Sequence, residues 1–248
     1  GDDENGRFYL EDLTSNGIGH SSNLINSENP SGQCLVMVSD DAERTMCTNL
    51  GINSEFSPKN VDEVVIKNSS FILLEGYLIA SPEGFNSFKK AFDLAKEHDV
   101  KVALSLSDVF IVSSFKNELK ELIRTKCDLI FCNEAEAAEF AGSDQEEAII
   151  SYFKDYTPNL LITKGAEGCI GYDKECSFTV PGVKVDAVDS NGAGDMFAGA
   201  VLNCLLGGSS NEEAAKFGCF LASRGVTVFG PRLQREDYLR YQKEFNSL

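Results

Sequence analysis

Basic residues and histidines are scarce in this chain. Of 248 residues, 22 are Lys or Arg against 39 Asp or Glu, a net charge of −17. A surface that acidic repels phosphate backbones and anionic lipid, which argues against nucleic-acid and membrane partners. An anionic substrate then needs a local pocket of backbone amides or a few Lys and Arg. Only His20 and His98 are present, far apart in polar surroundings, so histidine zinc sites and Ser-His-Asp triads lack their material. No run of 18 apolar residues is available to span a bilayer, and there is no low-complexity tract. The opening Gly1-Asp2-Asp3-Glu4 is acidic where a secretory leader is basic. Cys34, Cys47, Cys127, Cys132, Cys169, Cys176, Cys204 and Cys219 form no C-x-x-C pair, and several lie in apolar runs. They read as reduced core thiols of a cytoplasmic protein.

What is there is an ordinary globular composition, 42% hydrophobic and 25% charged. A chain of this length buries roughly 70–75% of its unfolded surface. From about residue 60, short β-branched runs alternate with amphipathic segments. Phe71 to Leu74 reads as a buried strand, Pro82 to His98 as a helix with Phe85, Phe88, Phe92 and Leu94 or Ala95 on one face. Strands are predicted at Val100 to Leu106, Leu129 to Phe131 and Leu160 to Ile162, and helices at Phe115 to Thr125, Glu134 to Ala141 and Gln145 to Tyr156. That rhythm predicts an α/β fold with a mostly parallel sheet covered on both faces. Two hairpins interrupt it. Gln33 to Ser39 and Arg44 to Leu50 flank Asp40-Asp41-Ala42-Glu43, as a small flap; Gly168 to Tyr172 and Ser177 to Val180 flank Asp173-Lys174, as an antiparallel edge. After Pro181 come one strand, Lys184 to Val188, and helices at Ala193 to Leu206, Glu212 to Arg224 and Arg235 to Phe245. No linker, repeat or second domain is evident.

The sharpest motif is Val188-Asp189-Ser190-Asn191-Gly192-Ala193-Gly194-Asp195, leading straight into an apolar helix. Glycines there leave backbone N–H groups uncovered at the positive end of a helix dipole, which is an anion site. Asp195 in the first turn is either a helix-stabilising acid or a base beside that anion cradle, suited to a hydroxyl attacking a phosphoryl group. There is no G-x-x-x-x-G-K-[ST], the glycine spacing is wrong for a dinucleotide turn, and no H-R-D or D-F-G occurs. Asn133-Glu134-Ala135-Glu136 and Thr163-Lys164-Gly165 each follow a predicted strand, so three loops meet at one strand edge, where open α/β sheets bind ligands. Together they read as a Mg-nucleotide site.

Taken in order, Asn133-x-x-Glu136, Thr163-Lys164-Gly165 and Asp189-x-x-Gly192-Ala193-Gly194-Asp195 resemble the ribokinase, or PfkB, superfamily of small-molecule kinases. Gly1-Asp2-Asp3-x-x-Gly6 also resembles a family element, and residues 1–245 fall into register. The resemblance implies a three-layer α/β/α ribokinase-like fold with a small β lid, approximately residues 18–50, in one kinase domain over 1–248. Family members usually carry a flap strand and further strand–helix units ahead of the Gly1-Asp2-Asp3 segment, so the expected domain is N-terminally incomplete. Ser39 to Met46 with Asn49-Leu50, and Leu104 to Ile111, look most like the adenosine-kinase branch. In that branch a Phe at the position of Phe110 stacks on the purine, and Cys34, Thr48 and Leu50 close the apolar side. The other reading makes Phe110 a core residue, with ribose or fructose as the acceptor.

The resemblance further implies ATP-dependent phosphoryl transfer to a primary hydroxyl, a nucleoside 5′-OH first among them. Asp195 accepts the proton, and the amides of Gly192, Ala193 and Gly194 hold the charge that builds on the transferred group. Asn133 and Glu136 organise Mg2+ through waters, unless Glu136 is one more acid on a solvated helix. Thr163, Lys164 and Gly165 meet the phosphates of ATP, with Cys219 and the loop from Val226 to Gly230 near its adenine. Arg44, on the flap, either swings over the phosphates or serves the surface. Asp189 and Asn191 match the location of a potassium-type cation. Family members are monomers or homodimers. A non-catalytic nucleotide-binding remnant is the alternative from another class.

Overall fold

The computed structural model describes residues 1–20, 27–39, 44–124, 127–174 and 176–247, with Arg44 described by its backbone only. The predicted flap tip, residues 40–43, and part of the predicted lid, residues 21–26, lie outside the described residues. The chain divides into two compact units, Gly1–Val36 with Met46–Lys126, and Met37–Thr45 with Cys127–Leu248.

The first unit opens with α1 (Glu4–Ser15), capped by Asp3, whose side chain accepts the Gly6 amide at 2.8 Å. The same carboxylate accepts the Ser31 amide and hydroxyl, each at 2.7 Å, and so ties the helix start to a distant loop. β1 (Gln33–Val38) and β2 (Arg44–Asn49) pair as the expected hairpin. After the short α2 (Glu63–Lys67), β3 (Phe71–Glu75) runs parallel to β4 (Lys101–Ser105), with Phe71 opposite Lys101 and Glu75 opposite Ser105. Between them α3 (Pro82–Glu97) starts on the Ser81 hydroxyl, with Pro82 at a position that needs no donor. Its Phe88, Phe92 and Ala95, spaced by four and three residues, form the buried stripe that packs on the sheet.

Two predictions in this unit are corrected. β3 is not a buried strand: Leu74 is covered, but Leu73 on the opposite face is 41% exposed. The helix expected from Phe115 is preceded by another, α4 (Val109–Ser114), and α5 spans Lys116–Ile123. Asp108 starts α4 by accepting the Phe110 amide at 2.7 Å, a cap signal hidden in an apolar run. The unit also leaves Phe8, Tyr9, Leu35, Val64 and Val65 exposed, and a groove of about 260 Å³ opens between Phe56, Val61, Ile66, Leu73, Leu78 and Phe88.

In the second unit β5 (Leu129–Asn133) and β6 (Asn159–Thr163) are parallel, joined through α6 (Glu134–Ala141) and α7 (Glu146–Phe153). β7 (Gly168–Asp173) and β8 (Cys176–Pro181) continue antiparallel from β6, as the second hairpin required. Three helices finish the chain: α8 (Ala193–Leu206), α9 (Asn211–Gly225) and α10 (Arg235–Phe245). Near-continuous apolar runs in β5 and β6 suit strands covered on both faces. Phe140 packs with Phe153 at a centroid distance of 5.2 Å, and Phe131 meets Phe197 edge-on at 6.2 Å. Met196, Phe217, Phe220 and Leu221 form a further cluster against α10.

Lys184 to Val188 is not a strand. Val188 and Asp189 both donate their amides to one carbonyl, that of Val226, at 2.7 and 3.2 Å, so the segment crosses to a loop instead of entering a ladder. The thiol reading also needs correction. Cys127, Cys132, Cys169 and Cys219 are buried, Cys204 is half-buried, and Cys34, Cys47 and Cys176 are exposed; all eight are free. Among the described residues no helix is long and apolar enough to cross a membrane.

Candidate active site

The candidate residues of the second unit gather in two places. In the β5–β6 register Asn133 stands opposite Thr163, so the two polar motifs end neighbouring strands side by side, as expected. Asn133 begins α6 through a reciprocal capping box. Its Oδ1 accepts the Glu136 amide at 2.8 Å, while Glu136 accepts the Asn133 amide at 3.0 Å and its side-chain Nδ2 at 2.7 Å. Glu136 is therefore no solvated acid. It is 5% exposed, and each of its oxygens accepts one bond from Asn133. Among the described residues no cluster of three His, Cys, Asp or Glu side chains has the arrangement of a metal site.

Thr163 turns its hydroxyl back to the Cys132 carbonyl at 3.4 Å, and Gly165 adopts φ +53° with open space where a side chain would stand. Lys164 lies within a cage the sequence did not announce. Its ammonium is 3.4 Å from Glu134, 3.5 Å from Glu146 and 3.9 Å from Glu167. The hydrogen bond and charge of Glu134 raise its pKa above that of an ordinary lysine.

The second place is the turn before α8. Gly192 takes φ +75°, and a Cβ there would lie 2.5 Å from the Pro231 carbonyl oxygen, so only glycine suits both the backbone and the close approach. Ala193 donates to Ser190 O at 3.3 Å, a long bond, and Met196 donates to Gly192 O at 2.9 Å. No side chain caps this helix, so its first-turn amides keep the partial positive charge of a helix start. A Cβ on Gly194 would meet nothing within 4 Å. Asp195 is exposed in the first turn and borders a hollow of about 440 Å³ with Gly199, Asn203, Pro231, Arg232 and Tyr238. Asn133 and Thr163 do not line that hollow.

Asp189 is 3% exposed and braces the turn. Oδ1 accepts the Asn191 amide at 2.8 Å and Oδ2 the Gly230 amide at 2.9 Å. Cys219 is buried on α9, and Gly230 sits in the following loop with φ +94°.

In the first unit, Cys34 Sγ and Thr48 Oγ1 are 3.3 Å apart across the hairpin, so two of the predicted acceptor-side residues do meet. Leu50 is 57% exposed. Phe110 is 68% exposed on the first turn of α4, which excludes the reading of a core residue. Two residues on the approach to α4 were missed. Ser107 holds φ +73°, unusual for a residue with a side chain, and its carbonyl accepts the Tyr77 hydroxyl at 3.0 Å. A tyrosine 30 positions away offers no sequence signal for that contact.

Residues 1–237 match the family described as pfkB family carbohydrate kinase. The chain is 30% identical to the ribokinase of Haemophilus influenzae over 238 residues, covering 93% of this chain and 74% of that one. Among solved structures it resembles the adenosine kinase of Sinorhizobium meliloti, with a TM-score of 0.93 at 26% identity over 98% of this chain and 75% of that one. A probable sugar kinase of Rhizobium etli matches with the same TM-score and identity, over 98% and 74%. The expected ribokinase-like α/β fold is thereby established, with relatives named for sugars and for a nucleoside alike. With the match extending over nearly its whole length, the chain is a member of the pfkB family of carbohydrate kinases.

Proposed function

We propose that this kinase transfers the γ-phosphoryl group of ATP to a primary hydroxyl of a small molecule, with the 5′-hydroxyl of adenosine or another purine nucleoside as acceptor. The observation that carries the reading is Asp195. It is an exposed carboxylate in the first turn of an uncapped helix, one turn from a glycine in the left-handed region. Asp195 accepts the proton of the attacking hydroxyl, and the amides of Gly192, Ala193 and Gly194 stabilise the oxygens of the group in transfer. Positioning and charge stabilisation of this kind supply most of the catalysis in phosphoryl transfer.

Thr163 and Gly165 receive the phosphates, and Cys219 with the loop ending at Gly230 lies at the adenine. Lys164 reaches the phosphates only by exchanging partners within its carboxylate cage. Asn133 and Glu136 fit Mg2+ through bound water, because direct ligation would break the bonds that start α6. Bound there, the ion would neutralise phosphate charge. A potassium-type cation beside Asp189 and Asn191 would share oxygens that already accept two amides, which makes its role supporting.

The choice of a nucleoside over a bare sugar rests on Phe110. An aromatic ring held 68% exposed by a capped helix suits a flat base and gives a sugar little. The test is an acceptor panel of adenosine, ribose and fructose with ATP and Mg2+, read as ADP release. Adenosine-dependent release above the sugars supports the reading. Faster release on ribose or fructose makes the chain a sugar kinase, and ATP binding without turnover on any acceptor makes it a nucleotide-binding remnant.

A further inference from the structure

Two lysines of this chain are bonded closely. Lys90 donates to the Pro58 and Val61 carbonyls at 2.7 and 3.0 Å, and Lys216 meets Glu212 at 2.7 Å. Lys164 is different. Its ammonium stands 3.4 Å from Glu134, 3.5 Å from Glu146 and 3.9 Å from Glu167, all beyond the roughly 2.7–2.9 Å of a close ammonium–carboxylate bond. The acids come from three segments: the first turn of α6, the first turn of α7 and the short turn that follows β6. They surround one cation, and each holds it loosely.

The backbone beneath that side chain is fixed. The Lys164 amide donates to the Gly168 carbonyl at 2.8 Å, and the Lys164 carbonyl accepts the Glu167 amide at 3.0 Å. Movement therefore falls to the flexible side chain, which rises between Thr163 and Gly165, the residues proposed to meet the phosphates. Its partners do not depend on it. The side chains of Glu134, Glu146 and Glu167 are 57%, 48% and 79% exposed, against 20% for Lys164, so water replaces the ammonium at little cost. A phosphate brings oxygens that the ammonium can approach at full hydrogen-bonding distance.

We propose that Lys164 is a phosphate ligand held in reserve, and that Glu134, Glu146 and Glu167 are positioning residues that set how readily ATP obtains it. While its charge is shared among the acids, the lysine is withheld from the nucleotide. The apparent affinity is then reduced by the fraction of the chain in which the side chain is free to turn. Arrival of a phosphate beside Gly165 exchanges carboxylate contacts for phosphate contacts, with no covalent bond made or broken. Gly165, at φ +53° with nothing within 4 Å of a Cβ, leaves that space clear. The inference rests on the proposed nucleotide site and deepens it, since it makes the acids around the lysine the control on nucleotide affinity.

The test is calorimetry with ATP and Mg2+ on the whole chain, on Lys164→Met, on Glu134→Gln and on the double variant. Lys164→Met is expected to bind ATP about tenfold more weakly. Glu134→Gln loosens the cage and is expected to bind about threefold more tightly, a gain that vanishes where Lys164 is already replaced. An equal gain in both backgrounds would show Glu134 acting only through its own charge, and overturns the proposal. Unchanged affinity in Lys164→Met overturns it as well. Exposed ion pairs add little to stability, so these variants should fold; Lys164→Gln and Glu146→Gln complete the same cycle where one does not. A parent chain that binds no ATP refutes the nucleotide site and this inference together. A parent that binds ATP, with no coupling between Glu134 and Lys164, refutes this inference alone.

Discussion

The Asp189 carboxylate and the Gly230 amide are bonded at 2.9 Å, which joins the loop before α8 to the loop after α9. The other oxygen holds Asn191 at 2.8 Å, so one buried side chain sets both the approach to Gly192 and the loop proposed to face adenine. The geometry of the turn before α8 is therefore maintained from behind, by a residue that does not face the hollow beside Asp195. That arrangement separates the residue that shapes the turn from those proposed to act in it.

Asp195 acts in it. Asp195→Asn keeps the shape of the side chain and removes the proton acceptor. ADP release on the best acceptor is expected to fall by about 10³-fold, with ATP affinity by calorimetry essentially unchanged. Full turnover in the variant would refute the assignment of the base.

Gly192 and Gly194 divide the two roles. Gly192→Ala places a Cβ against Pro231 at φ +75°, and should cost about 1–3 kcal/mol of stability. Gly194→Ala meets open space, so its melting temperature should stay within a few degrees of the parent. If that space receives the transferred group, Gly194→Ala loses turnover although it folds normally. Normal turnover in Gly194→Ala would remove its amide from the mechanism.

Glu136→Gln tests whether the capping residue also serves the metal. Glutamine keeps one acceptor and turns its amide donor toward the other Asn133 donor, so stability should fall by about 1–3 kcal/mol while the rest of the capping box stays. Removing the charge should raise the Mg2+ concentration needed for half-maximal ADP release severalfold. An unchanged Mg2+ curve would leave Glu136 a structural residue alone.

Phe110→Ala should weaken adenosine use at least about tenfold, the scale of one lost base–aromatic stack, with ATP affinity near normal. Equal losses on ribose and adenosine would deny the ring its proposed role.

Asp3 gives a pH signature. The Ser31 amide, then the Gly6 amide and the Ser31 hydroxyl, lower its pKa to about 2. Its contribution is present above the unfolded carboxylate range near pH 4 and is lost as pH falls toward 2. Wild type should therefore unfold at higher urea than Asp3→Asn at pH 7, and the two midpoints should converge near pH 2. A constant gap across that range would show that the charge plays no part.

Helices with a strong apolar period and a cap or proline at the start, such as α3, were legible in the sequence to within a residue or two. So was the placing of Asn133 beside Thr163, because both end apolar runs too short for anything but strands. Lys184 to Val188 misled because alternation reports which side chains face inward, and here the amides go to Val226 instead of a ladder. α4 was missed because its apolar run looks the same as a strand end until Asp108 is seen to cap it. The Lys164 cage and the Tyr77 contact each depend on residues far apart in sequence, which no local pattern encodes.

Phe8, Tyr9, Val64, Val65 and Leu73 put sticky carbon on the outside of a molecule that carries 17 surplus negative charges. In dilute buffer, like-charge repulsion keeps neighbouring copies at a distance and those rings stay wetted. At 1 M salt the screening length contracts to about 3 Å, and that repulsion is largely removed. The colloidal behaviour of this chain is therefore expected to depend on ionic strength.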